Sequence, residues 1–167
     1  MLPLLISLSS AYGADLGPNL QAAAGGWRLV ETPAQVTALQ EATIKKTLDS
    51  MNFAIRAMAG DRLQGAVRVC TDYTFEMKGD DLAVTCDSRP PTLIPLDGST
   101  NKLTTPKGEN YDITASINGD TLTTRGVGEI ATQITVFAFT TNGLTVTKTI
   151  TNEHFGEPLT WTTRYTR

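Results

Sequence analysis

The chain has 167 residues, a net charge of -3 at neutral pH and 40% hydrophobic residues. This length fits one domain with a sizeable core. Acidic and basic residues are mixed along the sequence without a basic run, which argues against a nucleic-acid-binding protein.

The chain begins with an apolar run, MLPLLISLSSAYGA, that ends in small residues. This order is typical of the hydrophobic region and cleavage end of a secretory signal, although no basic residue precedes it. The run is shorter than the roughly 20 apolar residues of a membrane span. We therefore expect residues 1–13 to be a signal peptide or apolar tail, residues 14–24 to be a linker, and the protein to be secreted or periplasmic without stable membrane insertion.

A short strand-like segment around Trp27 is followed by a long helical pattern that Gly60 is expected to end. The stretch Thr32-Pro33-Ala34-Gln35 has the sequence of a capping box. An apolar stripe at three- and four-residue spacing comprises Ile44, Leu48, Met51, Ile55 and Met58. One helix over 33–59 would be about 40 Å long, so we predict two helices that break between Ala42 and Asn52, with Asp49-Ser50 as the favoured turn.

The remainder of the chain alternates strand-like segments with turn signals, of which Asn118-Gly119 and Asn142-Gly143 are the strongest. Short connections predict an antiparallel meander, and a sheet this wide removes its edges by closing. The sequence therefore predicts a mainly β fold over 25–167: a closed up-and-down barrel of about ten strands with a two-helix lid between strands 1 and 2. The predicted strands after the lid are 65–77, 82–88, 92–96, 101–105, 110–117, 121–126, 130–141, 144–151 and 158–166.

The two cysteines, Cys70 and Cys86, would form a disulfide in an exported protein. A hairpin turning at KGDD pairs Met77 with Leu82. Alternation along those strands then points Cys70 outward and Cys86 inward. We therefore predict two free thiols.

Gly25-Gly26-Trp27 resembles the Gly-x-Trp that opens the first strand of the calycin group, and TWTTRYTR supplies the expected late arginine, Arg164. A helix pair directly after the first strand is similar to the fatty-acid-binding-protein branch rather than the true lipocalins. Helix-grip domains share this order but close with a long helix, whereas this chain ends in a strand pattern. The resemblance covers about residues 25–167 and implies that Arg164 packs across Trp27 at the closed end. It also implies a non-enzymatic carrier of fatty acids, retinoid-like molecules or other hydrophobic metabolites, without a cofactor.

Fatty-acid-binding proteins hold a ligand carboxylate with Arg-x-Tyr on the last strand, whereas this chain has Tyr165-x-Arg167 in the reversed order. Alternation places both side chains on one face of the strand with Leu159, Trp161 and Thr163. If that face lines the barrel, Tyr165 and Arg167 would form a clamp for an anion. The alternative is a frayed, solvated Arg167, since it is the last residue.

Lys148 lies in the hairpin formed around Asn142-Gly143. If Phe139 pairs with Val146, one face of the hairpin carries the side chains of Gln133, Phe137, Phe139, Leu144, Val146, Lys148 and Ile150. Facing inward, Lys148 would be a costly buried cation and an anchor for an anionic head group; at the rim it would reach water. Met51, Ile55 and Met58 are expected to pack on the barrel rim or to line the ligand portal.

His154 is the single histidine, and the sequence contains no second histidine or cysteine cluster with metal-ligand spacing. A solvated loop histidine is therefore favoured over a haem ligand or catalytic base. The preferred function is carriage or sequestration of a small hydrophobic, fatty-acid-like ligand by a monomer. The alternatives are an enzyme or haem protein that uses His154 or Tyr165, and an exported protein-binding module.

Overall fold

A computed structural model describes residues 16–105 and 108–167, apart from the side chains of Met58, Asp61 and Arg62. It contains helices α1 (Pro18–Gln21), α2 (Pro33–Ser50) and α3 (Phe53–Ala66). Its strands are β1 (Gly25–Leu29), β2 (Asp72–Lys78), β3 (Asp81–Cys86), β4 (Thr92–Pro95), β5 (Asn101–Thr104), β6 (Asn110–Asn118), β7 (Thr121–Gly128), β8 (Thr132–Phe139), β9 (Leu144–Thr151) and β10 (Leu159–Thr166). The predicted signal peptide, residues 1–13, lies outside the described residues and stays a prediction.

The ten strands form one antiparallel sheet in the order β4-β3-β2-β1-β10-β9-β8-β7-β6-β5. The first strand pairs with the last, so the sheet rolls into a nearly closed barrel whose edge strands are β4 and β5. The Asn101 side-chain amide on β5 donates to the Leu93 carbonyl on β4 at 2.8 Å, which links the two edges. The predicted barrel with a lid between its first two strands is confirmed.

The start of the lid follows the sequence prediction. Thr32 caps α2, and the Thr32 and Gln35 side chains each accept a hydrogen bond from the other residue's backbone N–H, at 3.4 and 2.8 Å. The helix breaks at Met51 and Asn52, inside the predicted interval and just after the favoured turn. Asn52 caps α3 by accepting from the Ile55 N–H at 3.0 Å, which fixes the break.

The end of the lid differs from the prediction. Helix α3 passes through Gly60 to Ala66, so a strand beginning at residue 65 was wrong. A glycine inside a helix costs only about 1 kcal/mol. Burial of Leu63 and Val67 against Trp161 outweighs that cost, since each apolar side chain contributes about 1.5–3 kcal/mol.

Residues 16–24, which we expected to be a linker, pack against the end of the barrel opposite the lid, here called the lower mouth. Leu20 and Ala23 are buried in the core. Asp120 accepts from the N–H groups of Asn19 at 2.8 Å and Leu20 at 3.1 Å, and from the Asn19 amide at 2.8 Å. This segment therefore plugs the lower mouth.

The cysteine prediction was wrong, because Cys70 and Cys86 form a disulfide with their Cα atoms 5.5 Å apart. The predicted pairing of Met77 with Leu82 is correct, and Cys86 lies opposite Tyr73. Strand β2, however, begins only at Asp72. Cys70 precedes it in irregular backbone, where the two-residue alternation does not set side-chain direction.

The apolar side chains form two clusters. The lid core lies between the helices and β10 and contains Met51, Leu63, Val67, Leu159 and Trp161. The lower core fills the barrel above the plug and includes Trp27, Tyr73, Phe75, Leu122, Phe137, Phe139, Leu144 and Val146. In it Phe139 pairs with Leu144 rather than Val146, a shift of two residues that keeps the predicted face together.

Candidate ligand-binding site

The inward side chains divide the barrel into a filled lower half and a more accessible upper half. The rings of Tyr73, Phe75 and Phe137 contact one another at centroid distances of 5.5–5.9 Å and form a floor. Above the floor, toward the mouth that carries the lid, Lys148 and Ile150 are only partly buried. Both side chains therefore keep some accessible surface above the aromatic floor.

The lid covers one side of the upper mouth. Thr47 of α2 is fully buried and its hydroxyl donates to the Pro158 carbonyl, which anchors the helix pair at the start of β10. On the other side Gln133 and Ile130 are exposed, and a recess of about 160 Å³ lies between the β5–β6 and β7–β8 hairpins. This recess lies on the side of the upper mouth away from β10.

Between the two lid helices lies a second concavity, a groove of about 640 Å³. Its lining alternates apolar side chains such as Ile44 and Leu48 with charged ones such as Lys45, Asp49 and Arg56. This groove lies on the lid itself and is separate from the barrel interior.

Lys148 faces the barrel interior from β9. Its cross-strand neighbours are Thr135 on β8 and Trp161 on β10, and its Nζ lies 5.8 Å from the centre of the Tyr73 ring. The pKa of Lys148 is lowered to about 8, mainly by burial and also by the positive charges of Arg89 and Arg68, against an opposing effect of Asp87.

No ion pair among the described residues involves Lys148. Its side chain is enclosed by protein on most sides yet keeps some accessible surface. A cation in this position has no counter-charge from the described part of the chain, which disfavours its ionised form.

Tyr165 and Arg167 are not brought together as an anion clamp. Tyr165 is buried; its hydroxyl donates to the Cys70 carbonyl at 2.9 Å and accepts from Thr163 at 3.2 Å. Burial raises the pKa of Tyr165 to about 12, so its phenol stays neutral. Arg167 instead is exposed at the lower mouth, where it donates to the Ala22 carbonyl.

The arginine over Trp27 is Arg167, not Arg164 as expected. The Arg167 guanidinium lies 4.7 Å from the centre of the Trp27 ring. Arg164 is exposed and forms a 2.9 Å ion pair with Glu31. Side chains alternate between the two faces along β10. Arg167 therefore belongs to the same face as the inward residues Thr163 and Tyr165, whereas Arg164 belongs to the opposite face.

The other predicted site residues have distinct positions. Phe137 and Phe139 are buried among the aromatic rings of the lower core, and Gln133 is exposed at the upper mouth. Met51 and Ile55 belong to the lid core, while the side chain of Met58 lies outside the described part of the chain. Gly25 begins β1 at φ 117°, a backbone conformation that favours glycine.

His154 lies in the loop between β9 and β10, with more than half of its side chain exposed and its Nε2 3.5 Å from Glu153. It faces solvent and does not reach the interior. Of the three candidate titratable residues, His154, Lys148 and Tyr165, the last two therefore face the barrel interior.

The sequence did not indicate a polar cluster beside the disulfide at the upper mouth. Asp87 adopts φ 56°, and its Oδ1 accepts from the Thr71 N–H at 2.8 Å, the Thr71 hydroxyl at 2.7 Å and the Asp72 N–H at 3.1 Å. Arg89 lies 3.6 Å from the Asp87 carboxylate and 3.9 Å from the Cys70 sulfur. The segment DSRPP signals a turn, but its partner Thr71 is distant in sequence and could not be inferred.

Replacing Asp87 with alanine is expected to lower the free energy of unfolding by about 1–3 kcal/mol near pH 7, because three donors lose their acceptor. Burial raises the pKa of Asp87, but the hydrogen bonds from Thr71 and Asp72 and the charge of Arg89 together hold it below its ordinary value of 3.8. The carboxylate therefore contributes stability above pH 3.8 that is lost as the pH falls through its lower folded value. Urea unfolding at neutral and acid pH measures this.

Asp87→Asn is the matched control, since asparagine keeps one acceptor oxygen and tolerates positive φ. It should lose less stability than Asp87→Ala near neutral pH. An Asp87→Ala deficit that is equally large well below pH 3.8 would show that the ionised carboxylate is not the source of the stability.

No protein-family model matches the sequence. No curated protein matches it either. Solved structures do match in fold, and several of them are from invertebrates. The apo lipid binding protein 8 of Caenorhabditis elegans aligns with a TM-score of 0.53 and 11% identity, over 89% of this chain and 96% of that one.

The fatty acid binding protein of Schistosoma mansoni in complex with arachidonic acid aligns with a TM-score of 0.52 and 18% identity, over 89% and 98% of the two chains. The fatty-acid-binding protein from the brain of Drosophila melanogaster aligns with a TM-score of 0.51 and 19% identity, over 85% and 96%. The chain therefore has the calycin fold of the fatty-acid-binding proteins, as its order of elements indicated. At these identities the similarity concerns the fold. Among the described residues, no helix is both long and apolar enough to cross a bilayer.

Proposed function

We propose that the protein binds a small hydrophobic ligand with an anionic group in the upper half of the barrel, and carries or sequesters it. The observation that supports this most is Lys148, an inward lysine that forms no ion pair with the described residues and lies near the partly buried Ile150. Proteins of the same fold include ones described as fatty-acid-binding and lipid-binding. The proposal involves no catalytic step.

The apolar part of such a ligand would lie against Ile150 and Trp161 beneath the lid. Burying a methylene group contributes about 0.8 kcal/mol, so a long alkyl chain supplies most of the affinity. A carboxylate beside Lys148 would stabilise its ammonium form and restore its pKa toward the ordinary value. The head group therefore determines orientation and selectivity more than total affinity.

Export, which the first 13 residues suggest, would place this ligand outside the cytoplasm. The Cys70–Cys86 disulfide supports an oxidising compartment, because disulfides are rare in reducing ones. We propose a secreted or periplasmic monomer.

Binding of palmitate and of hexadecanol to the delipidated protein tests the proposal, with displacement of a fluorescent probe as the readout. We expect palmitate to bind at least about tenfold more tightly, equivalent to about 1.4 kcal/mol. Lys148→Met should abolish that preference while hexadecanol still binds. Lys102→Met, at an exposed position on β5, is the matched control and should behave like the wild type.

Native mass spectrometry of the purified protein, followed by extraction under denaturing conditions, identifies any ligand retained from the host. A bound apolar acid would support the proposal directly. Failure of both palmitate and hexadecanol to bind would contradict it and would indicate a barrel whose upper half does not admit a ligand.

A further inference from the structure

Lys148 differs from the other lysines that the structure describes. Lys45 and Lys46 of α2 have side chains 75% and 73% exposed, Lys78 is 48% exposed, and Lys102 lies on the outer face of β5. Lys148 points into the barrel between Thr135 and Trp161. It combines limited contact with water and an inward position in the part of the barrel proposed to bind the ligand.

The surroundings of Lys148 raise the neutral fraction of its amine above that of an exposed lysine. The nearby titratable and charged groups are the Tyr73 ring, the guanidinium groups of Arg89 and Arg68, and the carboxylate of Asp87. Asp87 already accepts three hydrogen bonds from Thr71 and Asp72 and lies beside Arg89, so it is occupied. A desolvated lysine next to other cations is the environment that activates an amine as a nucleophile.

We propose that the Lys148 amine forms a reversible imine with hydrophobic aldehydes, so that the barrel captures long-chain aldehydes covalently. This inference rests on the proposed function, since the alkyl chain would occupy the same part of the barrel. It adds a second ligand class that an ion pair alone would not retain.

The reaction balances without an oxidant or reductant. The nitrogen lone pair of the neutral amine attacks the carbonyl carbon, and the oxygen gains a proton to give a carbinolamine. Loss of the hydroxyl group as water, with departure of a proton from nitrogen, then forms the carbon–nitrogen double bond. One amine and one aldehyde give one imine and one water, and hydrolysis releases the aldehyde unchanged.

The protonation state supports this chemistry near neutral pH. With a pKa of about 8, about one Lys148 amine in ten is neutral at pH 7. A lysine at the ordinary value of 10.5 is neutral in about one molecule in three thousand. The formation rate at Lys148 should therefore rise as the pH approaches 8 and then level off, whereas exposed lysines should continue to gain reactivity.

Decanal with sodium cyanoborohydride tests the inference in the wild-type protein, because reduction converts an imine into a stable decyl-lysine. Intact mass and peptide mapping after limited reaction near neutral pH should locate one adduct at Lys148. We expect it to exceed the adduct at any exposed lysine by at least about tenfold, in line with the difference in neutral fraction. An excess of decanoate should suppress it by competing for the same space.

Lys148→Arg keeps the positive charge without a lysine amine and should lose the adduct. Lys102→Arg is the matched control and should keep it. Peptide mapping of the wild type decides the question even if Lys148→Arg does not fold. Adducts spread evenly over exposed lysines would overturn the inference.

Probe displacement by decanoate and decanal separates failure of this inference from failure of the proposed function. If both displace the probe but no adduct forms at Lys148, the imine is wrong and ligand binding stands. If neither displaces it and no adduct forms, the proposed function fails together with the inference.

Discussion

Replacing Trp27 with alanine is expected to lower the free energy of unfolding by about 3–5 kcal/mol. The Trp27 side chain is only 2% exposed and meets the Phe139 ring edge-on at a centroid distance of 5.8 Å. Its indole N–H donates to the Ala23 carbonyl at 2.9 Å, and Arg167 covers one face. Alanine would leave a cavity between plug and barrel and an unpaired carbonyl. Urea unfolding followed by far-ultraviolet circular dichroism measures the loss.

Trp27→Phe is the control for this prediction. Phenylalanine keeps much of the apolar volume but cannot donate to Ala23, so its cost should be smaller than that of alanine. A loss below about 1 kcal/mol for Trp27→Ala would contradict the role of this residue in closing the lower mouth.

The order of elements could be predicted because local signals agreed with one another. The Thr32 capping box, the apolar stripe and the short turn-marked strands each specify a local structure with little dependence on distant residues. The KGDD turn likewise set the pairing of Met77 with Leu82. In the β8–β9 hairpin the pairing was displaced by two residues, since Thr140 and Gly143 close a tighter loop than the sequence suggested. A shift of two residues leaves each side chain on the same face of the hairpin, because side-chain direction repeats every two residues.

Features that depend on distant residues could not be predicted. Asn19 in the plug is held by Asp120, which lies about one hundred residues away in sequence. Local patterns do not reveal such a contact, so this segment was predicted to be a linker. Cys70 was assigned to a strand that begins two residues later, and this error alone hid the disulfide. Helix α3 continued past Gly60 because Leu63 and Val67 pack on Trp161, a contact that exists only after the barrel has closed.

The candidate site was predicted in part. The alternation placed Lys148 on the same face as Phe137 and Val146, and that face is the inward one. Sequence alone could not decide between the two faces, because threonine-rich strands suit either. The alternation grouped Tyr165 with Leu159, Trp161 and Thr163, all of which are buried, but the Tyr165 hydroxyl is already paired with the Cys70 carbonyl. The alternation thus identifies Lys148 and Tyr165 as candidate ligand-binding residues. Their contacts in the folded protein distinguish them, because the Tyr165 hydroxyl is already hydrogen-bonded to Cys70.

Lys148 imposes a stability cost that its replacement should reveal. Its pKa is about 8 in the folded protein against an ordinary value of 10.5, so the folded state binds its proton less tightly than the unfolded state. Below pH 8 the full cost is present; it shrinks between pH 8 and 10.5 as the folded protein deprotonates first, and it vanishes above 10.5. A difference of 2.5 pKa units corresponds to roughly 3 kcal/mol.

Lys148→Met is therefore expected to raise the free energy of unfolding by about 1–3 kcal/mol at pH 7, since the accessible surface that Lys148 keeps reduces the full cost. The gain over wild type should decline as the pH rises toward 10.5, whereas Lys102→Met should show no such trend. Urea unfolding of the three proteins at a series of pH values measures this. Palmitate added to the wild type should narrow the gap, because its carboxylate supplies the missing counter-charge. A Lys148→Met variant that is less stable than wild type at pH 7 would instead mean that the ammonium group has a stabilising partner in the empty protein, and the anion site would then have to lie elsewhere.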